Sequence, residues 1–186
     1  MQNMHQGYCS GAARRATPIG FLDIGIDELF DLAEQSAKPT HNHPEAIQGA
    51  QAVVYTTWAL KRGAGKKNIY EYLLKKFKYV MQLYTHEGIR HDLDKSAAMD
   101  TVPFAIFLAL ESRGWVDAIQ SCFKYVHHGD MDCVLFLVSS IAFAMYGKSD
   151  AVLEDKAKFW LFKNAQPILQ VAREFSAKRT LLRLPF

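Results

Sequence analysis

Two aspartates in the second half of the chain are the residues whose chemistry is easiest to assign. Asp130 and Asp132 follow Gly129 and precede Cys133, where an apolar run begins that extends to about Tyr146. On a regular helix their carboxylates would point in different directions, but at a loop-to-helix turn both can bind one hard cation. The spacing therefore predicts half of a divalent-metal site. The alternative is that Asp132 caps the helix and Asp130 interacts with its dipole.

Two histidines precede this segment, so a site for a softer metal is a second interpretation. His127 and His128 stand directly before Gly129, and together with Cys133 they make zinc conceivable. Their spacing matches no zinc pattern, and a histidine pair that faces solvent at a helix end is the simpler interpretation. Cys133 at the start of an apolar helix can equally be a small core residue.

Two further clusters suit a phosphorylated ligand. The segment from Ser10 to Arg15 is rich in small residues, so its backbone N–H groups can approach a phosphate closely and its arginine can anchor the loop. The segment from Thr40 to Glu45 leads into a helix. There the alternative is that Asn42 caps the helix and the histidines are polar loop residues.

The elements that must position these clusters are helices, because apolar side chains recur at helical spacing and no period-two strand pattern is found. Pro44 suits a first helical position, and glycines close several segments. The segment from Asp132 to Tyr146 is apolar on all sides, which predicts a helix surrounded by other helices. The predicted helices are Ile26–Ala33, Pro44–Arg62, Ile69–Val80, Pro103–Ser112 with Pro103 in its first turn, Trp115–Val126, Asp132–Tyr146, Leu153–Phe162 and Pro167–Phe175.

Length and composition predict one globular domain over residues 1–186. Cysteine usage predicts a reducing compartment. Three cysteines are a sparse, odd set, and no secretory signal is found near the start, so a cytoplasmic location is expected. The longest apolar run is about 13 residues where a membrane span needs ~20, so no membrane partner is expected. The net charge of +3 is small and dispersed, which gives no reason to expect nucleic acid.

Taken in order, these clusters resemble the motifs of the ADP-ribosylglycohydrolase family along almost the whole chain. In the first motif Arg14 stands where that family usually has methionine, while Arg15 is retained. Four segments carry the resemblance: Gly11 to Gly20, Thr40-His41-Asn42-His43-Pro44-Glu45 with Gly49-Ala50, Thr101-Val102-Pro103, and Gly129-Asp130-Met131-Asp132-Cys133.

The resemblance implies an all-α, multi-helix orthogonal array and a magnesium-dependent hydrolase. Such enzymes cleave the bond between C1″ of ADP-ribose and a modified protein side chain or nucleotide, so ADP-ribose or an ADP-ribosylated protein is the implied partner. No residue is assigned to the catalytic step. By resemblance the metal ligands are Asp130, Asp132 and Cys133, and the substrate-binding residues are Ser10, Gly11, Arg15 and His41.

Departures from the family pattern shape the expected activity. Cys133 replaces a hydroxyl ligand with a softer thiol, and His128 replaces the first glycine of the metal motif. The family's earlier metal-binding segment has no counterpart before Tyr8, and Asp92 and Asp94 fit exposed loop residues better than substitutes for it.

We therefore expect an N-terminally truncated member with a weak or incomplete magnesium site, whose hydrolytic activity the sequence leaves open. The alternatives are a non-catalytic ADP-ribose-binding module and a structural, crystallin-like protein. Because the missing segment would cover apolar surface, self-association or docking onto a complementing chain is expected.

Overall fold

The chain folds into helices throughout the part that the structure describes. The computed structural model describes residues 7–81, 97–126, 131–147 and 151–181. These ranges contain no strand, so the predicted all-α class is confirmed. The elements are α1 (Gly11–Ala16), a 3₁₀ helix (Thr17–Phe21), α2 (Ile26–Ala37), α3 (Pro44–Lys61), α4 (Lys66–Phe77), α5 (Ala98–Glu111), α6 (Trp115–Tyr125), α7 (Met131–Tyr146), α8 (Ala151–Asn164) and α9 (Gln166–Leu181).

The chain divides into two compact units, Met1–Gly147 and Lys148–Phe186. The second unit contains α8 and α9, and several large apolar side chains on these helices are exposed, among them Phe159 and Val171. None of the helices in the described ranges combines the length and apolar character that a membrane crossing requires. The organisation of residues 1–186 as a single domain stays a prediction. Self-association of the chain also stays a prediction.

Helices α3 and α5 form the centre of the first unit. All residues from 101 to 110 in α5 are buried, because this helix is apolar around its whole circumference. Gly49 lets α3 approach α5 closely, since a Cβ there would lie only 3.1 Å from Ala98 Cβ and 3.2 Å from Val102 Cγ2. Small residues therefore bring these two helices of the core together.

Helix α7 differs from the expectation that neighbours surround it. Leu137 and Ile141 are fully buried, but Phe136 is 44% exposed and Phe143 is 41% exposed. The prediction of complete enclosure is therefore wrong for one face of the helix. Within the described residues α7 packs against α5, α6 and α3 on the other side, and the fully enclosed position belongs to α5 instead.

Two helix boundaries also differ from the sequence prediction. Helix α5 begins at Ala98, so Pro103 lies inside the helix and not in its first turn. The proline removes one backbone donor, and the burial of α5 supplies the stability that offsets this loss. Helix α4 ends at Phe77, before Val80, because Lys78 adopts a left-handed conformation with φ of 62°.

Among the described glycines, Gly20 in the 3₁₀ helix makes the closest contact. A Cβ there would lie 2.7 Å from Thr57 Cβ and 2.8 Å from the Val54 carbonyl oxygen of α3. We expect Gly20→Ala to lower the free energy of unfolding by about 1–3 kcal/mol, because the overlap forces backbone to move. Urea denaturation measures this. Gly65→Ala is the matched control, since its Cβ meets nothing within 4 Å, and equal midpoints for the two variants would contradict the packing described.

Candidate functional site

The segment from Ser10 to Arg15, expected as a loop, contains the short helix α1 from Gly11 onward. The expectation of an irregular small-residue loop is therefore wrong. Ala12, Ala13 and Ala16 are fully buried against the neighbouring helices, and alanine has the highest helix propensity of any residue. Packing of this alanine face makes α1 helical and leaves the side chains around it to contact other motifs.

One side of α1 meets the start of α7. The Ser10 hydroxyl donates a hydrogen bond to the Cys133 Sγ at 2.9 Å, and both side chains are buried although they lie 123 residues apart. Arg14 Nη1 lies 2.7 Å from Asp132 Oδ2 and forms a salt bridge in which the Asp132 side chain is 74% exposed. The segment from Ser10 to Arg15 is thus joined to the last motif through two side-chain pairs.

The other side of α1 meets the segment between α2 and α3. The Arg15 guanidinium donates to the Ser36 carbonyl oxygen at 2.8 and 3.3 Å and to Thr40 Oγ1 at 2.6 Å. Thr40 Oγ1 also lies 2.7 Å from His41 Nδ1, and His41 Nε2 lies 2.9 Å from Cys9 Sγ. Arg15 therefore anchors the segment that carries His41, a contact that the sequence did not predict.

Two glycines provide the space that the His41 ring occupies. A Cβ on Gly7 would lie 3.0 Å from His41 Cδ2, and one on Gly11 would lie 3.1 Å from His41 Nε2. Burial lowers the pKa of His41 below its ordinary value, and the nearby Arg15 guanidinium lowers it further. The ring is consequently neutral at neutral pH.

These contacts bring together residues from three of the motifs. We name them the α1 cluster, which consists of Cys9, Ser10, Gly11, Arg14, Arg15, Thr40, His41, Asp132 and Cys133.

Asp130, Asp92, Asp94, His127 and His128 fall outside the described residues, so their expected roles stay predictions.

The third motif, Thr101-Val102-Pro103, is buried in α5 and takes part in helix packing. The cap of α3 is His43, whose Nδ1 accepts from the Glu45 N–H at 3.3 Å, so the expectation that Asn42 caps this helix is wrong.

The α1 cluster does not fit a magnesium ion. Magnesium prefers several oxygen ligands in octahedral geometry, whereas Asp132 Oδ2 already has the Arg14 cation 2.7 Å away. The Cys133 sulfur is a soft ligand and accepts the Ser10 hydrogen bond. In the ranges given above, no three His, Cys, Asp or Glu side chains lie together in a way that could hold a metal. Among the described residues, the Arg14 guanidinium is the charged group beside Asp132, and Asp130, the other carboxylate of the predicted site, falls outside them.

Three members of the cluster, Cys9, Arg14 and Thr40, were not assigned a role from the sequence. No local sequence pattern pointed to Cys9, because its partner His41 lies 32 residues away. The contact depends on how the chain between the two residues folds. Arg14 did carry a signal, since it departs from the methionine of the motif it resembles. That departure is the substitution that supplies the cation beside Asp132.

Comparison with known proteins gives one result that covers nearly the whole chain. The sequence profile described as ADP-ribosylglycohydrolase matches residues 2–178. A search of curated proteins finds no match.

Proposed function

The chain belongs to the ADP-ribosylglycohydrolase family, and from this premise we propose that it binds ADP-ribose, free or attached to a protein, at the α1 cluster. Membership points to an ADP-ribosylglycohydrolase-like function and implies ADP-ribosylated substrates. The chemistry of the α1 cluster then favours binding over cleavage of the glycosidic bond.

The observation that carries the proposal is the convergence of distant motifs on α1. Ser10 contacts Cys133 and Arg14 contacts Asp132, while Arg15 holds the segment that carries His41. Residues that are far apart in sequence meet around α1, where Ser10 and Cys133 are buried and Arg14, Arg15 and His41 are at least partly exposed. This is the arrangement that a ligand with several chemical groups requires, because a nucleotide sugar needs separate contacts for base, ribose and phosphate.

Charge at the cluster suits a diphosphate. Among the members named above there are two guanidinium groups, those of Arg14 and Arg15, against the single carboxylate of Asp132, and His41 is neutral. The excess positive charge attracts an anionic ligand, and arginine matches phosphate oxygens with paired N–H donors. Gly11 and the backbone of Ser10 lie beside these groups and are assigned to the diphosphate, since the Ser10 hydroxyl is buried and donates to Cys133. His41 is assigned to the adenosine or ribose.

Binding is favoured over hydrolysis because the family is generally metal-dependent and the described cluster does not fit magnesium. A magnesium ion bound to Asp132 would stand close to the Arg14 guanidinium. At about 4 Å in water, a divalent and a monovalent cation repel each other by roughly 2 kcal/mol, twice the value for two unit charges. The Arg14 cation instead neutralises Asp132, so that the carboxylate does not repel the ligand's phosphates.

Two assays separate this proposal from its alternatives. Calorimetry should detect ADP-ribose binding, with weaker binding of AMP because it lacks the second phosphate and the distal ribose. Incubation with an ADP-ribosylated protein should release no free ADP-ribose. Binding with release would identify a hydrolase, and the absence of both would support the structural, crystallin-like alternative.

The cytoplasmic location stays a prediction.

A further inference from the structure

Cys9 forms the end of a chain of hydrogen-bonding groups that begins at a cation. The Arg15 guanidinium lies 2.6 Å from Thr40 Oγ1, which lies 2.7 Å from His41 Nδ1, and His41 Nε2 lies 2.9 Å from Cys9 Sγ. Arginine can only donate hydrogen bonds, so the direction of the first link is fixed. The sulfur at the other end is partly exposed.

The imidazole can exchange a proton with the thiol. With the thiol protonated, its S–H donates to His41 Nε2 and the Nδ1–H donates to Thr40. When the thiol proton moves to Nε2, the ring becomes an imidazolium that donates from Nε2 to the thiolate and from Nδ1 to Thr40 Oγ1. The thiolate is the nucleophilic form of cysteine, so His41 is placed to act as a base at the sulfur.

The other two cysteines lack this arrangement. Cys122 is fully buried and its thiol donates to the Ala118 carbonyl oxygen at 3.5 Å. Burial raises the pKa of Cys122 to about 12. Cys133 is buried and accepts the hydrogen bond of Ser10. Of the three thiols, only Cys9 combines partial exposure with a neutral base at its sulfur.

We propose that Cys9 is a nucleophilic thiol with His41 as its general base, and that it is a modification site for α,β-unsaturated carbonyl compounds. The Cys9 sulfur forms a bond to the β-carbon and the carbon–carbon π bond breaks. The thiol proton moves to His41 Nε2, and the enolate then recovers a proton at its α-carbon from the imidazolium. The addition has no leaving group and needs no oxidant.

Modification also affects the ligand site, and this second part rests on the proposed function. Cys9 precedes Ser10 and Gly11, which we assign to the diphosphate. The ring of His41 contacts both the Cys9 sulfur and the space over Gly11. An adduct on Cys9 therefore occupies the place of ADP-ribose, and electrophiles would switch binding off.

The test is the rate of N-ethylmaleimide addition to each cysteine of the native chain, followed by mass spectrometry. Cys9 should react first, and His41→Gln should slow it by about 100-fold, the usual contribution of a general base. His43→Gln is the matched control from the same segment and should leave the rate unchanged. Addition to Cys122 reports unfolding, since that thiol is buried.

Chemical rescue separates a base from a structural role. Free imidazole should restore the rate in His41→Gly, whereas it does nothing for a residue that only maintains packing. Cys9 reacting no faster than a free cysteine thiol, or a His41→Gln rate equal to that of the native chain while Cys122 stays protected, would overturn the proposal.

Titration of the labelled protein with ADP-ribose tests the second part separately. If the unlabelled chain binds and the labelled chain binds equally well, the switch is wrong and the reactive thiol stands. If the unlabelled chain does not bind, the proposed function fails, and the addition rates still decide whether Cys9 is the nucleophile.

Discussion

Leu137→Ala is expected to lower the free energy of unfolding by about 2–5 kcal/mol, the range for truncating a fully buried leucine. Leu137 has no exposed surface and lies on the face of α7 that packs against the core. The truncated side chain leaves a cavity that rigid helix packing only partly fills. Urea denaturation followed by circular dichroism at 222 nm, a wavelength that reports helix, gives the midpoint and slope from which this change is obtained.

Phe136→Ala is the matched control, because it removes a larger side chain from the adjacent position on the exposed face of α7. Its cost should be well under that of Leu137→Ala, about 1 kcal/mol or less. A Leu137→Ala variant as stable as the parent would show that α7 is not part of the core. Equal losses for the two variants would show that the exposed face is covered.

Gly11→Leu is expected to weaken ADP-ribose binding by about 100-fold, which corresponds to roughly 2.7 kcal/mol. Its Cβ would lie 3.1 Å from His41 Nε2 and 3.7 Å from Cys9 Sγ. The rest of the leucine side chain then fills the surface where we place the diphosphate and the ribose, and it displaces the imidazole. Calorimetric titration of the variant with ADP-ribose measures the loss.

Gly25→Leu provides the control for this substitution, since a Cβ there meets nothing within 4 Å and the residue precedes α2. It should bind ADP-ribose as the parent does. If Gly11→Leu binds normally while its circular dichroism is unchanged, the ligand site lies away from α1.

The helices were predictable where local signals are strong. Pro44 fixes the start of α3 and Gly63, with φ of 78°, follows its end, so both predicted boundaries are close to the observed ones. Backbone geometry favours proline at a helix start and glycine after a helix end, so these boundaries can be predicted from the sequence without tertiary information.

Elements that depend on tertiary packing were harder to predict. Helix α1 has only six residues, too few to form alone, and it exists because its alanines pack against α3. The start of α5 was placed too late because Pro103 usually marks a first turn, and burial overrides that preference here. Neither the packing of α1 nor the burial of α5 can be inferred from local helix propensity.

The sequence named several residues of the α1 cluster but not their contacts. The family resemblance pointed to Ser10, Gly11, Arg15 and His41 as binding residues, which stays a prediction, whereas the salt bridge of Arg14 with Asp132 joins residues 118 positions apart. Side-chain pairs of this kind follow from the way helices pack, so the sequence names the residues without pairing them. The pairing of Arg14 with Asp132 emerged only with the fold.

The central claim is that the α1 cluster binds ADP-ribose with the Arg14 cation beside Asp132 and without magnesium. Calorimetric titration of the chain with ADP-ribose, first in EDTA and then in excess magnesium, tests it most directly. We predict binding in EDTA and an affinity that changes by less than about threefold when magnesium is added, a difference under roughly 0.7 kcal/mol. Binding that appears only with magnesium, or no binding in either buffer, would contradict the claim.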